Sequence, residues 1–155
     1  MPITIISGGQ TGVDRAALDA AIAAGLPHGG WCPKGRLAED GSIPFSYQLR
    51  ETSSRAYRTR TSRNVRDSDG TLVILRDRLQ GGTRYTVRYA EKIGRPLLIV
   101  RLSGLQEQDI ESVIRWLQEH AIAVLNVAGP RESSEPGIHA EARQWLLSLF
   151  VNIRQ

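Results

Sequence analysis

The sequence predicts an α/β protein: a three-layer α/β/α sandwich on a mainly parallel, Rossmann-like sheet of about five strands. Two observations carry that expectation. Short runs of β-type apolar residues alternate along the chain with longer segments whose apolar residues recur at helical spacing. Glycine-rich turns stand at two of the places where a strand gives way to a helix. There is no internal repeat and no linker long enough to divide the chain. Residues 1–155 therefore read as one ligand-binding domain, long enough to bury a core.

The elements follow in order. Ile3-Thr4-Ile5-Ile6 is the first strand, and Ala17, Leu18, Ala21 and Ile22 mark a helix from Arg15 to Ala24. Gly25 suits the residue just past that helix, and Pro27 confirms the stop. Gly30-Trp31-Cys32 is expected as a short second strand. Leu37 to Ser54 is irregular, with Gly41 and Pro44, and reads as a long loop that helps to form a site. Thr61 to Asp67 looks helical and ends before the Asp69-Gly70 turn. Thr71-Leu72-Val73-Ile74-Leu75 has the near-continuous pattern of a strand buried on both faces. Gln80-Gly81-Gly82-Thr83 opens a helix that runs to Gly94, and Leu97 to Val100 is a fourth strand. Ile110, Val113, Ile114 and Leu117 are the apolar face of the next helix, and Ile122 to Val127 is a fifth strand. The loop from Ala128 to Gly137 leads to a last helix with Ile138, Ala142, Trp145, Leu146 and Leu149 as its buried stripe. Ser133 or Ser134 is expected to cap it.

Composition narrows the function. Twenty Lys and Arg against 16 Asp and Glu give a net charge of +4, which points to anionic partners. The excess gathers at Arg50, Arg55, Arg58, Arg60, Arg63 and Arg66. Such a cluster can follow a nucleic-acid backbone, bind a phosphorylated small molecule, or solvate a helix face. Only Tyr57 interleaves with these arginines, which argues against a stacking platform for single strands, so nucleic acid is not the expected partner. The single cysteine, Cys32, cannot form an internal disulfide and reads as a buried structural residue, which fits a reducing compartment. The chain opens on a strand pattern rather than a leader, and no apolar run approaches the ~20 residues that span a bilayer. A cytoplasmic protein without a membrane segment is expected. His28, His120 and His139 lack metal-ligand spacing, and no Ser–His–Asp or Cys–His arrangement stands out, so neither a metal site nor a catalytic residue is expected.

Ser7-Gly8-Gly9-Gln10-Thr11-Gly12-Val13-Asp14 says most about function. A strand, a glycine-rich turn and a helix in succession leave backbone N–H groups at the helix start, where the dipole also favours an anion. The spacing is neither the dinucleotide fingerprint nor the P-loop, so the loop indicates phosphate without saying whose. Gly8, Gly9, Gln10, Thr11 and Gly12 are expected to supply backbone donors and a hydroxyl. Asp14 reads as a loop-orienting or helix-start residue. Lys34 and Arg60 are the expected cationic partners, while Arg36 has Glu39 or Asp40 to pair with. Gly81, Gly82, Thr83 and Thr86 are expected to form a second wall, with capping as the other role open to Thr83. Asn64, Asp67 and Asp69 suit turn chemistry or the edge of a heterocycle, and Arg131 and Ser133 can close the site. Parallel sheets bind ligands beyond the carboxyl ends of their strands, so one crevice would gather these loops if strands one and three were neighbours.

On these residues the chain resembles the molybdenum carrier family, the molybdenum cofactor carriers, within the Rossmann-like superfamily of lysine-decarboxylase-like and cytokinin-activating (LOG-like) proteins. The match runs through Ser7 to Arg15, Cys32-Pro33-Lys34-Gly35-Arg36, Glu39-Asp40-Gly41, Arg60-Thr61, Asn64-Val65 and Asp67 to Thr71. It continues through Gly81-Gly82-Thr83, Gly129 to Ser133 and Pro136-Gly137. The resemblance implies binding of molybdenum cofactor, a pterin bearing a phosphate, and self-association as a dimer or tetramer. The enzymatic cousins, phosphoribohydrolases, carry Pro-Gly-Gly-x-Gly-Thr-x-x-Glu at the second glycine loop. Here that region reads Leu79-Gln80-Gly81-Gly82-Thr83-Arg84-Tyr85-Thr86-Val87-Arg88, with no carboxylate at the glutamate's place and Glu91 about a turn further on. The loss argues for binding without that hydrolysis. The alternatives are a nucleotide-binding enzyme or sensor and, third, a single-stranded nucleic-acid module like the DNA-processing cousins, whose opening turn is similar.

Overall fold

The computed structural model describes residues 2–104 and 107–153. Its elements in chain order are β1 (Thr4–Ile6), α1 (Val13–Ala24), β2 (His28–Gly29), β3 (Trp31–Cys32), β4 (Leu37–Ala38), β5 (Gly41–Ser42) and β6 (Arg50–Glu51). Then come α2 (Tyr57–Arg66), β7 (Gly70–Leu75), α3 (Gly81–Ile93), β8 (Leu97–Arg101), α4 (Glu107–Glu119), β9 (Val124–Ala128) and α5 (Ile138–Ile153). Five strands form a parallel central sheet in the order β2-β1-β9-β7-β8. This is the expected architecture, with three changes inside it.

The second central strand is His28–Gly29, which pairs with Ile5 and Ile6. Trp31–Cys32 leaves the sheet and pairs instead with Arg50–Glu51. Gly30 separates them at φ +125°, a conformation that no continuous strand can hold. The expected loop from Leu37 to Ser54 also contains the β4–β5 hairpin. Furthermore, β1 and β7 are not neighbours, because β9 lies between them with Asn126 opposite both Ile6 and Thr71. Three loops, after β1, β9 and β7, therefore meet at one end of the sheet.

Alternation along β7 shows how the layers divide. Leu72 and Ile74 join a core with α1, α4 and α5, whereas Val73 and Leu75 face Val87 of α3. All six β7 residues are buried, as a strand covered on both faces requires. Ala16, Ala17, Ala20, Ala21 and Ala24 give α1 a face of small side chains against α5, whose Leu146, Leu149 and Phe150 are fully buried. Gly25 and Gly94 end α1 and α3 in the left-handed conformation. The last helix starts at Ile138, so neither Ser133 nor Ser134 caps it. Ser133 is engaged elsewhere, as described below.

Candidate functional site

A cavity of about 670 Å³ opens beyond the carboxyl ends of β1, β9 and β7. Its walls are the loop after β1, the loop after β9, the start of α3, and α2. Seven of the expected residues line it: Gly8, Gln10, Arg60, Gly81, Gly82, Thr83 and Thr86. Gly9, Thr11, Gly12 and Lys34 do not.

The opening loop differs from a free anion cradle because the protein fills it. Gly9 N donates to Ser7 Oγ (3.4 Å), Gln10 N to Asp14 Oδ2 (3.3 Å) and Thr11 N to Gln10 Oε1 (3.1 Å). Val13 N, at the start of α1, donates to Pro130 O. The carboxylate of Asp14 thus already sits on a backbone donor of this turn. The missing side chains have the same explanation. A Cβ at Gly8 would come within 2.7 Å of Arg60 Nη1, and one at Gly12, where φ is +80°, within 2.2 Å of Pro130 O. Gly9 lies against Leu49 and Ile43 in the same way. These glycines admit other parts of the protein rather than a ligand.

The second glycine loop is open. Nothing lies within 4 Å of a Cβ built on Gly81 or Gly82. Gln80 is the extended residue before α3, and no side chain caps the helix, so Thr83 is not its cap. The first N–H groups of a helix have no intrahelical acceptors, and these face the cavity with the positive end of the dipole. Thr86 Oγ1 donates back to Gly82 O (3.2 Å).

Cations surround this opening. Arg60 is 7% exposed, donates from Nη1 to Gly8 O (2.8 Å) and from Nε to Thr61 Oγ1 (3.2 Å). Burial pushes its guanidinium below the usual value, against the opposing charge of Asp14. Two guanidinium groups approach the Tyr57 ring, Arg60 at 5.1 Å and Arg131 at 5.5 Å from its centre. Arg58 lies 4.8 Å over Tyr85, which stacks on Tyr89. Among the described residues none of Arg58, Arg60 and Arg131 is within ion-pair distance of a carboxylate. Asp14 is the only acidic residue in the lining, and burial raises its carboxyl from 3.8 to about 6 although Arg60, Arg15 and Arg131 favour its charged form.

The remaining expected residues serve the scaffold. Lys34 is exposed on the loop after β3, where its N–H bonds Ser54 O. Arg36 pairs with neither Glu39 nor Asp40. It is buried at φ +54° and donates to the carbonyls of Ile43, Pro44, Leu49 and Tyr47. Asp40 instead holds Arg15 (2.8 Å between Oδ1 and Nη2). Glu39 accepts from Thr11 Oγ1, from Ser133 N (3.1 Å) and from Ser133 Oγ (2.5 Å), and its own N–H bonds Gln10 Oε1 (2.8 Å). The β4–β5 hairpin therefore straps the loop after β1 to the loop after β9. Asn64 lines the cavity but spends its amide on Trp31, and Asp67 receives Trp31 Nε1. Asp69 accepts from Ala123 N and Val124 N. Cys32 is buried and has no disulfide partner.

Tyr57, Arg58, Tyr85 and Asn126 also line the cavity and were not among the expected site residues. Asn126 carried a signal, being an amide inside an otherwise apolar strand run. It is 3% exposed, and its Nδ2 donates to Thr71 Oγ1 (3.3 Å). No group of His, Cys, Asp or Glu among the described residues is placed to hold a metal ion. No described helix is long and apolar enough to cross a membrane.

Comparison with known proteins agrees with this fold. The model of the circularly permutated YpsA SLOG family matches residues 5–150. The crystal structure of a putative molybdenum carrier protein from Syntrophus aciditrophicus SB is 47% identical, covers 97% of this chain and 95% of its own, and superposes with a TM-score of 0.90. A comparison with curated proteins gives no match. A match over nearly the whole chain, on a parallel sheet of the same fold, decides the family: the chain belongs to the circularly permutated YpsA SLOG family.

Proposed function

We propose that the protein holds a phosphorylated small molecule in this cavity, of the class of molybdenum cofactor, and acts as its carrier rather than as a hydrolase. The observation that carries the reading is the uncapped start of α3 at Gly81-Gly82-Thr83, open to a cavity whose arginines have no carboxylate within ion-pair distance among the described residues. A phosphate there would accept from helix N–H groups and face the guanidinium groups of Arg60 and Arg131. Tyr57 and Tyr85 add aromatic surface to the lining, beside the guanidinium groups that already lie over their rings. A volume of about 670 Å³ lies within the usual range for small-molecule sites. The Syntrophus protein is named a putative molybdenum carrier, which supports a molybdenum-bearing ligand. One sequence feature supports a carrier: counted from Gly82-Thr83, the place of the phosphoribohydrolase glutamate is taken by Thr86, which has no carboxylate.

The test is protection of added molybdopterin from oxidation. Wild-type protein is expected to slow its loss, and Gly82→Asp, which places a negative charge at the helix start, to abolish the effect. No protection by wild type, in an assay where a known binder protects, would contradict the proposal. Asp14 in the cavity favours a second reading, an enzyme acting on nucleotides. Turnover of a nucleoside monophosphate that Asp14→Asn stops would support it over the carrier.

A further inference from the structure

We propose that Asp14 is a ligand-facing carboxyl group that takes up a proton when an anion fills the cavity, so that its free oxygen becomes a donor to that anion. The inference rests on the anion-binding reading above and adds a residue and a linked proton to it.

Asp14 is 7% exposed and lines the cavity from the start of α1. Its Oδ2 accepts from Gln10 N (3.3 Å), and no other hydrogen bond or ion pair of this carboxyl is made among the described residues. Oδ1 is thus left for a ligand. The charged groups acting on it are Arg60 from α2, Arg15 from its own helix and Arg131 from the loop after β9. Arg15 is already committed to Asp40 and to Gly9 O. Arg60 is the largest of the three influences, and it is also the buried cation that an anion would seek. An incoming anion and an ionised Asp14 therefore compete for one guanidinium. Two negative charges sharing one buried cation repel strongly, and the carboxyl that can take a proton yields. Protonated, it keeps its acceptor oxygen on Gln10 N and gains an O–H for the ligand. The carboxyl of the free protein, at about 6, is already poised for this. Neither His28 nor His139 lines the cavity: His28 accepts from Gln48 N, and His139 is held on Asp19.

Inorganic sulfate is a suitable probe, because it stays a dianion across the relevant range and adds no titration of its own. Its dissociation constant is measured from pH 5 to 8. For wild type it is expected to be flat below about pH 6 and to weaken by up to about tenfold per pH unit above it, as a site that favours the protonated carboxyl requires. Asp14→Asn, which keeps an oxygen for Gln10 N, is expected to bind with a flat profile. Carbon-13 NMR of the Asp14 carboxyl in wild-type protein provides a second measurement that needs no variant. Saturating sulfate is expected to raise its pKa by at least about one unit. A wild-type profile no steeper than that of Asp14→Asn, or an unmoved pKa with sulfate bound, would overturn the proton linkage and leave the anion site standing. No binding of sulfate by wild type at any pH would overturn both.

Discussion

Gly12 and Gly82 look interchangeable in the sequence, each placed at the start of a helix, yet they do opposite work. Gly12 has φ +80° and Pro130 O pressed against it, whereas Gly82 has nothing within 4 Å. Gly12→Ala is expected to lose at least about 2 kcal/mol in chemical denaturation, from left-handed strain and the backbone clash together. Gly82→Ala is expected to stay within about 1 kcal/mol of wild type, on the stabilising side, because alanine suits a helix better. Asp14 gives a pH-dependent counterpart. Its folded pKa of about 6 lies above the ordinary 3.8, so between these values the native state binds more protons than the unfolded chain. Stability from this group falls as pH rises through that window, and the cost is complete above about pH 6. Denaturant melts of wild type and Asp14→Asn should therefore diverge from pH 4 to 6. The variant should be the more stable at pH 7, by on the order of 1–3 kcal/mol.

At the scale of elements, the β4–β5 hairpin fixes the loops that the sheet merely brings near one another. Burial works against the charge of Glu39, but hydrogen bonds from Ser133 and Thr11 hold its carboxyl below the usual range. Glu39→Ala is expected to cost about 1 kcal/mol. It should also speed amide hydrogen exchange at Ser133 and Glu132, whose N–H groups bond Glu39 and Thr11. Unchanged exchange there would show that the loops hold themselves. This element was hard to see in the sequence. Strands of two residues, Leu37–Ala38 and Gly41–Ser42, carry no alternation to read, whereas β7 and α5 announce themselves by long apolar patterns. The expected strand at Gly30–Cys32 slipped for the same reason, since two residues on either side of a glycine fit either assignment.

For the whole molecule, the order β2-β1-β9-β7-β8 puts the last strand in the middle and gathers three loops and α2 around one cavity. Gly8, Gln10, Arg60 and the Gly81-Gly82-Thr83 loop were legible as residues of the cavity lining because their chemistry is local, whereas Gly9 and Gly12 pack against the protein itself. Lys34 is not in the lining, and only tertiary structure shows that its backbone is tied to Ser54 O. Arg58, Tyr57 and Asn126 escaped because their meeting depends on which face of α2 and which end of β9 the fold presents. The arrangement as a whole makes one claim, that the cavity retains a phosphorylated small molecule against α3. Native mass spectrometry of protein purified without oxygen tests it most directly. A phosphorus-containing adduct of roughly a few hundred daltons is expected on wild type and is expected to be lost from Gly82→Asp. Bare chain mass for wild type, or the same adduct on both proteins, would contradict it.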